Sequence, residues 1–203
     1  MPTRSVPLVA NTYYHVYNRG HNRKNIFLER ENYVFFLQRI RQFLLGEKQT
    51  SEVSQTSEVC AIVVAYCLMP NHFHLLVCPQ DAEFSRRMQR FSISYAKAMN
   101  ERYDRRGAMF QGAFQAVHVD RDEYLLHLSR YIHLNPVVAG LSKRGEDWEF
   151  SSYRDYLGLR RGTLPSPDLV LSQFPTRTAY REFVEAFQPR DQALIADLLF
   201  EEA

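Results

Sequence analysis

Two histidines, His72 and His74, are separated by one residue in the segment MPNHFHLL. In an extended strand, residues i and i+2 point to the same face, so both imidazoles project together while Phe73 projects to the opposite face. Imidazole nitrogens are common ligands of divalent metals, so the pair could supply half of a metal site. The same spacing also occurs where two histidines face solvent on an edge strand, and the pair alone does not distinguish the two.

Tyr131 and Asn135 lie four residues apart in the segment RYIHLNP, a spacing that places both on one face of a helix. A tyrosine hydroxyl can attack a phosphodiester whose phosphate is polarised and positioned, and an amide oxygen is a suitable third ligand for a hard cation. Alternatively, Tyr131 packs against its neighbours and Asn135 is only a helix C-terminal residue before a proline. His133 faces away from Tyr131, which predicts a structural or DNA-facing role. Ordinary polar or core positions are expected for His15, His118 and His127.

The hydrophobic pattern predicts the elements that position these residues. Strands are expected at residues 12–17, 60–66, 72–78 and 114–119, with turns at 18–20 and 69–71. Helices are expected at residues 29–45, 84–103 and 121–134, the last capped by Asp120 and ended by Pro136. The first six elements follow the order β-α-β-β-α-β, which predicts an α+β, ferredoxin-like core with helices on one face of an antiparallel sheet. Tyr131 and Asn135 belong to the helix that follows this core.

The chain of 203 residues is suited to one domain with a short extension. We expect the main domain at residues 1–157. Residues 158–203 are predicted to form an irregular segment and two closing helices, at 176–187 and 190–202.

The formal net charge is only +2, but the basic residues are concentrated in particular segments. Residues 86–106 contain seven Lys or Arg and two acidic residues, a pattern that phosphate binding requires. A solvated helix face would show the same pattern. The candidate phosphate contacts are Arg19, Arg23, Arg86, Arg87 and Arg90.

The three cysteines, Cys60, Cys67 and Cys78, show neither a CxxC pair nor a zinc spacing. An odd count inside apolar runs favours reduced, buried thiols and a cytoplasmic protein. Charged or polar residues interrupt every apolar stretch, and the N-terminal residues lack the apolar segment of a signal peptide. We therefore expect no membrane association.

The two motifs together resemble those of the HUH single-tyrosine transposases, most closely the REP-associated tyrosine transposases and their relatives. HUH denotes two histidines flanking a hydrophobic residue, here His72-Phe73-His74. Further similar segments are YHVYNRG followed by Ile26-Phe27, FQG at residues 110–112 and WEFSSY at 148–153, so the resemblance covers most of residues 12–157. The family often has an arginine after the Gln-Gly pair, where this chain has Ala113, so the resemblance implies that one local phosphate contact is missing here.

The resemblance implies a chemistry for these residues. His72, His74 and Asn135 would bind one divalent metal, Mg²⁺ or Mn²⁺, and Tyr131 would be the nucleophile that forms a 5′-phosphotyrosine. The expected partner is single-stranded or hairpin DNA containing palindromic repeats, and the enzyme would be a monomer or a homodimer.

Three alternatives remain open from the sequence. The chain could be a domesticated module that binds hairpin DNA without transposing it, although every ligand and nucleophile position is filled. It could be another HUH enzyme, such as a plasmid relaxase or replication initiator, although its shortness favours the transposase branch. A structural ferredoxin-like protein would need to acquire both motifs by accident.

Overall fold

Four strands form one antiparallel sheet in the order β2-β3-β1-β4. The computed structural model describes residues 8–46, 59–188, 191 and 193–198. The strands are β1 (Tyr14–Arg19), β2 (Ala61–Met69), β3 (His72–Pro79) and β4 (Gln115–His118). This order and the intervening helices confirm the predicted ferredoxin-like α+β core.

Two long helices cover one face of the sheet. These are α1 (Arg30–Ile40), which continues into a π-helical turn at Arg41–Leu45, and α2 (Phe84–Arg102). Phe73 of β3 points to this face and contacts Phe36 and Phe91, with ring centroids 5.1 and 6.5 Å away. Because side chains alternate along a strand, burying Phe73 here directs His72 and His74 to the opposite face.

The opposite face is covered by α3 (Asp122–Val138) together with three shorter helices. The shorter helices are α4 (Tyr153–Tyr156), α5 (Asp168–Leu171) and α6 (Arg177–Glu185). Leu128 and Ile132 of α3 are fully buried in one hydrophobic cluster with Leu76 of β3. Val170, Tyr180, Val184 and Ile195 also belong to this cluster, so residues beyond 157 pack against the back of α3.

Helix α3 continues through Pro136, where the sequence predicted its end. The proline removes one donor, but the following amides satisfy the neighbouring carbonyls: Ala139 N donates to Asn135 O at 2.9 Å and Leu141 N to Pro136 O at 2.8 Å. Asn135 therefore lies within an intact helical turn. The predicted cap by Asp120 is also wrong, because Arg121 occupies the N-cap without a side-chain cap bond.

Other element boundaries shift by a few residues. Strand β1 begins later than predicted and extends through Arg19, because Asn18 and Arg19 pair with β3 instead of turning. The turn follows at Gly20, where an added Cβ would lie 1.9 Å from Lys24 O, so only glycine fits. Of the predicted closing helix at 190–202, the structure describes residues 191 and 193–198, and Ala196–Leu198 form a 3₁₀ turn.

All three cysteines are buried and none forms a disulfide, as predicted. Within the described ranges, no helix is both long and apolar enough to cross a membrane.

Candidate active site

His72 and His74 lie side by side on β3, on the face that α3 covers. Their ring centroids are 4.9 Å apart and the rings are nearly perpendicular. Both side chains are buried, at 8% and 0% exposure. The β1–β3 register pairs His72 with Arg19 and His74 with Tyr17, so two further polar side chains of β1 share this face.

Each histidine has its Nδ1 engaged in a hydrogen bond. His72 Nδ1 lies 2.6 Å from Asn71 Oδ1, and His74 Nδ1 lies 3.0 Å from Nε2 of the buried His15. An amide oxygen only accepts, so His72 carries its proton on Nδ1, and His74 has the same tautomer when His15 Nε2 is the acceptor of their bond. Both rings then present the Nε2 lone pair, which is the arrangement that outer partners impose on metal-binding histidines.

Burial keeps both imidazoles neutral. It lowers the pKa of His72 to about 4, opposed by a hydrogen bond with Asn135 and reinforced by the positive charge of Arg19. Burial also lowers the pKa of His74 well below its usual value, with smaller contributions from His72 and His15. Neutral imidazole is the form that binds a metal, so these rings need not lose a proton near neutral pH.

Helix α3 brings the other two candidate residues to the histidines. The Tyr131 ring lies 5.5 Å from the His74 ring and 6.3 Å from the His15 ring, both edge-on. Asn135, one turn later, is 4% exposed and interacts with His72. All four candidate side chains therefore meet within a single chain, with the tyrosine helix docked on its own sheet.

The opposite face of α3 is held by a chain of buried polar groups. Ser129 Oγ donates to Leu126 O at 2.8 Å, so it accepts from Tyr180 OH at 3.1 Å. The Tyr180 oxygen then accepts from His133 Nδ1 at 2.7 Å. Burial lowers the pKa of His133 to about 3, so the ring carries a single proton. With that proton on Nδ1, Nε2 accepts from the Ser152 hydroxyl at 2.8 Å, and the Tyr66 carbonyl oxygen at 3.2 Å competes for the same hydroxyl proton.

This network connects α3 to both sides of the molecule. Ser152 Oγ also accepts from the backbone N of Tyr66 in β2 at 2.9 Å, and Tyr180 belongs to α6. His133 is 0% exposed, which confirms its predicted structural role; the DNA-facing alternative is wrong because no part of the ring reaches the surface.

The five candidate arginines do not form one surface. Arg19 lies beside His72 and bonds to Gln111, and the backbone O of Arg23 accepts from Asn71 Nδ2 at 3.3 Å, so these two flank the histidines. Arg86, Arg87 and Arg90 belong to α2 on the other face of the sheet. Arg86 and Arg87 pair with acidic residues of the preceding loop at 3.1 and 2.8 Å. Arg90 lies 5.9 Å from the centre of the Phe43 ring.

Two residues of the site, His15 and Asn71, were not singled out from the sequence. His15 is 59 residues from His74 and becomes its neighbour only through the β1–β3 register, which spacing alone does not reveal. Asn71 directly precedes His72, and this adjacency in the sequence is the signal that could have identified it as a hydrogen-bond partner of His72. No three His, Cys, Asp or Glu side chains in the described part of the chain converge as metal ligands, so a metal here would require the Asn135 amide.

Comparison with known proteins assigns the family. No curated protein sequence matches the chain. Among solved structures, a REP-associated tyrosine transposase bound to a REP hairpin is similar, with a TM-score of 0.60 and 15% identity over 82% of this chain and 98% of that one. The tRNA(His) guanylyltransferase of Saccharomyces cerevisiae has a TM-score of 0.42 and 7% identity over 96% of this chain and 80% of that one, too weak a likeness to support an argument. The model of the IS200-like transposases matches residues 8–135, well over half of the chain and including all four candidate site residues, so this protein belongs to the IS200-like transposase family.

Proposed function

We propose that this protein cuts and rejoins single-stranded, hairpin-forming DNA through a covalent bond to Tyr131. The observation that carries the proposal is the placement of Tyr131 against His74 by the same helix that places Asn135 against His72. Family membership supports the class of reaction, and the local geometry supports the assignment of these four residues.

The donor set fits a divalent metal. His72 and His74 offer neutral imidazoles oriented through Nδ1, and Asn135 can offer its amide oxygen. Two nitrogen donors suit Mn²⁺ better than Mg²⁺, which prefers oxygen ligands. Such an ion would supply Lewis-acid polarisation of a non-bridging phosphate oxygen.

The residues of the chain would perform the remaining steps. The Tyr131 oxygen attacks phosphorus in line, loses its proton, and forms an ester to the 5′-phosphate as the bond to the 3′-oxygen breaks. The departing 3′-oxygen gains a proton and becomes a free hydroxyl. In the reverse direction a 3′-hydroxyl attacks the phosphotyrosine and releases Tyr131. Because the tyrosine ester retains the energy of the cleaved bond, rejoining requires no nucleotide cofactor.

Hairpin DNA is the proposed partner. The REP-associated transposase of similar fold is bound to a hairpin, and Arg19 and Arg23 flank the histidines, where their positive charge would attract the phosphates of an entering strand. Arg86, Arg87 and Arg90 remain candidate phosphate contacts on the α2 side. If the chain only binds hairpins, as a domesticated relative would, these basic residues would serve binding while Tyr131 stayed unmodified.

The first test is a cleavage assay with labelled hairpin DNA and Mn²⁺ or Mg²⁺. We expect the native protein to form a slower-migrating protein–DNA adduct that requires metal and is absent from Tyr131→Phe, because the phenyl ring lacks the attacking oxygen. Tyr124→Phe is a matched control two turns earlier on α3 and should keep the adduct.

Binding without an adduct or a cut strand, across many hairpin sequences and both metals, would instead establish the binding module. An adduct that persists in Tyr131→Phe would assign the nucleophile to another residue.

A further inference from the structure

A cavity of about 340 Å³ lies away from the histidines, beside the edge strand β2. Three arginines line it, Arg160, Arg161 and Arg177, together with a single acidic residue, Asp155. Its size falls in the range of small-ligand pockets, roughly 300–1,000 Å³. The cavity lies outside the segment that the family model matches, residues 8–135.

The charge of Asp155 is already compensated. Arg160 Nε lies 3.1 Å from both carboxylate oxygens of Asp155, and its Nη2 lies 2.5 Å from one of them. The backbone N of Gly162 donates to the same carboxylate at 2.8 Å. The remaining two arginines therefore determine the electrostatic character of the cavity.

Arg177 is held in place by backbone groups instead of an acid. Its Nη1 donates to the carbonyl oxygens of Asp155 and Tyr156 at 2.7 and 2.6 Å, which leaves the hydrogens of Nε and Nη2 available. Arg161 is exposed, and neither arginine forms an ion pair with a carboxylate of the described residues. A fixed guanidinium with unused hydrogens, as at Arg177, is suited to bind phosphate oxygens, and Arg161 adds a second positive charge to the cavity.

The loop that carries Arg161 is built tightly against this point. A Cβ at Gly162 would lie 2.6 Å from Asp155 Oδ1, so the close approach requires glycine. Arg160 also donates to the backbone oxygens of Glu149 and Ser151 at 2.8 and 2.7 Å, which anchors the loop. The cavity wall is therefore preorganised.

The sheet sets the distance between this cavity and the histidines. Pro165, which lines the cavity, bridges to Val63 of β2, and Met69 at the end of β2 pairs with His72. Six residues of strand separate Val63 from Met69, or about 20 Å at about 3.3 Å per residue. In duplex DNA this distance spans roughly six base pairs, at about 3.4 Å each.

We propose that Arg161 and Arg177 form a phosphate-binding site. Its ligand is a phosphate group, either from the backbone of a hairpin stem, which rests on the function proposed above, or from free phosphate. As a stem contact, the site would hold the duplex about 20 Å from the scissile strand.

The DNA arm of the test measures how hairpin affinity depends on salt. Each phosphate contact contributes about 0.9 to the slope of log K against log salt concentration. We expect Arg161→Gln to lower this slope by about 0.9, and the Arg161→Gln/Arg177→Gln pair by about twice that, on a hairpin stem of about twelve base pairs. A stem of about three base pairs should show a smaller change.

Arg102→Gln is the control, because this substitution changes the charge by the same amount at an arginine that is already paired with Glu29. Arg177→Gln also removes the hydrogen bonds of Arg177 to the backbone, which could alter the local structure. The single Arg161→Gln variant avoids this complication, because the exposed Arg161 side chain makes no such contact. Circular dichroism verifies the fold of each variant.

The second arm measures the melting temperature in inorganic phosphate against chloride at equal ionic strength. A slope loss in the DNA arm supports the site and assigns the DNA backbone. A phosphate-dependent rise in melting temperature that the double variant loses, without a slope change, supports the site and assigns free phosphate. The absence of both effects overturns it. If the native protein binds no hairpin, the proposed function fails while the phosphate arm still tests the cavity.

Discussion

At the scale of single residues, the chemistry of His74 depends on its neighbour in β1. His15 Nε2 lies 3.0 Å from His74 Nδ1, and both residues are fully buried. When His74 binds a metal through Nε2, its Nδ1 carries the proton and His15 is the acceptor. Outer partners of this kind typically change metal affinity by about 10- to 100-fold, because they fix the tautomer and orientation of the ligand. His15 is therefore a positioning residue for the proposed metal site.

We expect His15→Phe to weaken Mn²⁺ binding by about 10- to 100-fold, since the phenyl ring cannot accept the His74 proton. His15→Gln should retain most of the affinity, because its amide oxygen can replace Nε2. Titration of Mn²⁺ by electron paramagnetic resonance, without DNA, measures this directly. Equal affinities for the native protein and His15→Phe would show that His15 only fills space.

The sequence predicted the candidate ligands and nucleophile better than their surroundings. The i, i+2 and i, i+4 spacings depend on local geometry alone, so His72 with His74 and Tyr131 with Asn135 could be paired in advance. The bond from His15 depends on strand register over 59 residues, and the ion pair of Arg87 depends on where a loop folds back. Neither follows from local periodicity.

At the scale of the element, α3 has a different i, i+4 pair on each of two opposite faces. Tyr131 and Asn135 face the histidines, while Ser129 and His133 both bond to the hydroxyl of Tyr180 in the core. Buried, fully satisfied polar groups restrict a helix to one rotation and one depth. The back of the helix therefore determines where its front side chains lie.

Tyr180→Phe tests this coupling. Removing the hydroxyl leaves His133 Nδ1–H buried without its acceptor, which we expect to lower the free energy of unfolding by about 1–3 kcal/mol in urea denaturation. Single-turnover cleavage should slow while hairpin affinity is unchanged, because α3 is less well held. Tyr156→Phe is the matched control: its hydroxyl donates to Val64 O at 3.0 Å and makes no bond to α3.

Equal cleavage rates in Tyr180→Phe and Tyr156→Phe would contradict a positioning role and leave only a stabilising one. The comparison is informative because both substitutions remove one buried hydroxyl from the same hydrophobic cluster.

The amphipathic pattern predicted helix α3, but it predicted neither where the helix ends nor which elements pack against it. A proline usually marks a helix end, but α3 continues past Pro136, and the amides of Ala139 and Leu141 donate to the carbonyl oxygens of Asn135 and Pro136. Likewise, the sequence predicted a closing helix at 176–187 without indicating that its Tyr180 and Val184 would pack against α3.

At the scale of the whole molecule, one chain contains a complete candidate site. Tyr131 lies against the histidines of its own sheet, so no second chain is needed to bring the nucleophile to them. The sequence did not show whether the helix that carries Tyr131 docks on the sheet of its own chain or on that of a partner chain, because residue spacing does not reveal which sheet a helix contacts.

Mixing two inactive variants tests this arrangement. Tyr131→Phe retains the metal ligands and His72→Ala retains the nucleophile, so co-expressed chains should form no adduct if each site uses its own tyrosine. Separate preparations of each variant serve as controls in the same labelled-hairpin assay. Recovery of the adduct in the co-expressed sample would show that chains exchange α3.

The sheet order has a consequence for association between molecules. Strands β2 and β4 form the two edges, and an exposed edge can template pairing with another chain. Ser151 bridges to Cys67 and Pro165 to Val63, so a later segment of the chain covers part of the long β2 edge. Strand β4 has only four residues, which gives a pairing partner little backbone to extend. The segment that closes the β2 edge therefore also protects the molecule against edge-to-edge aggregation.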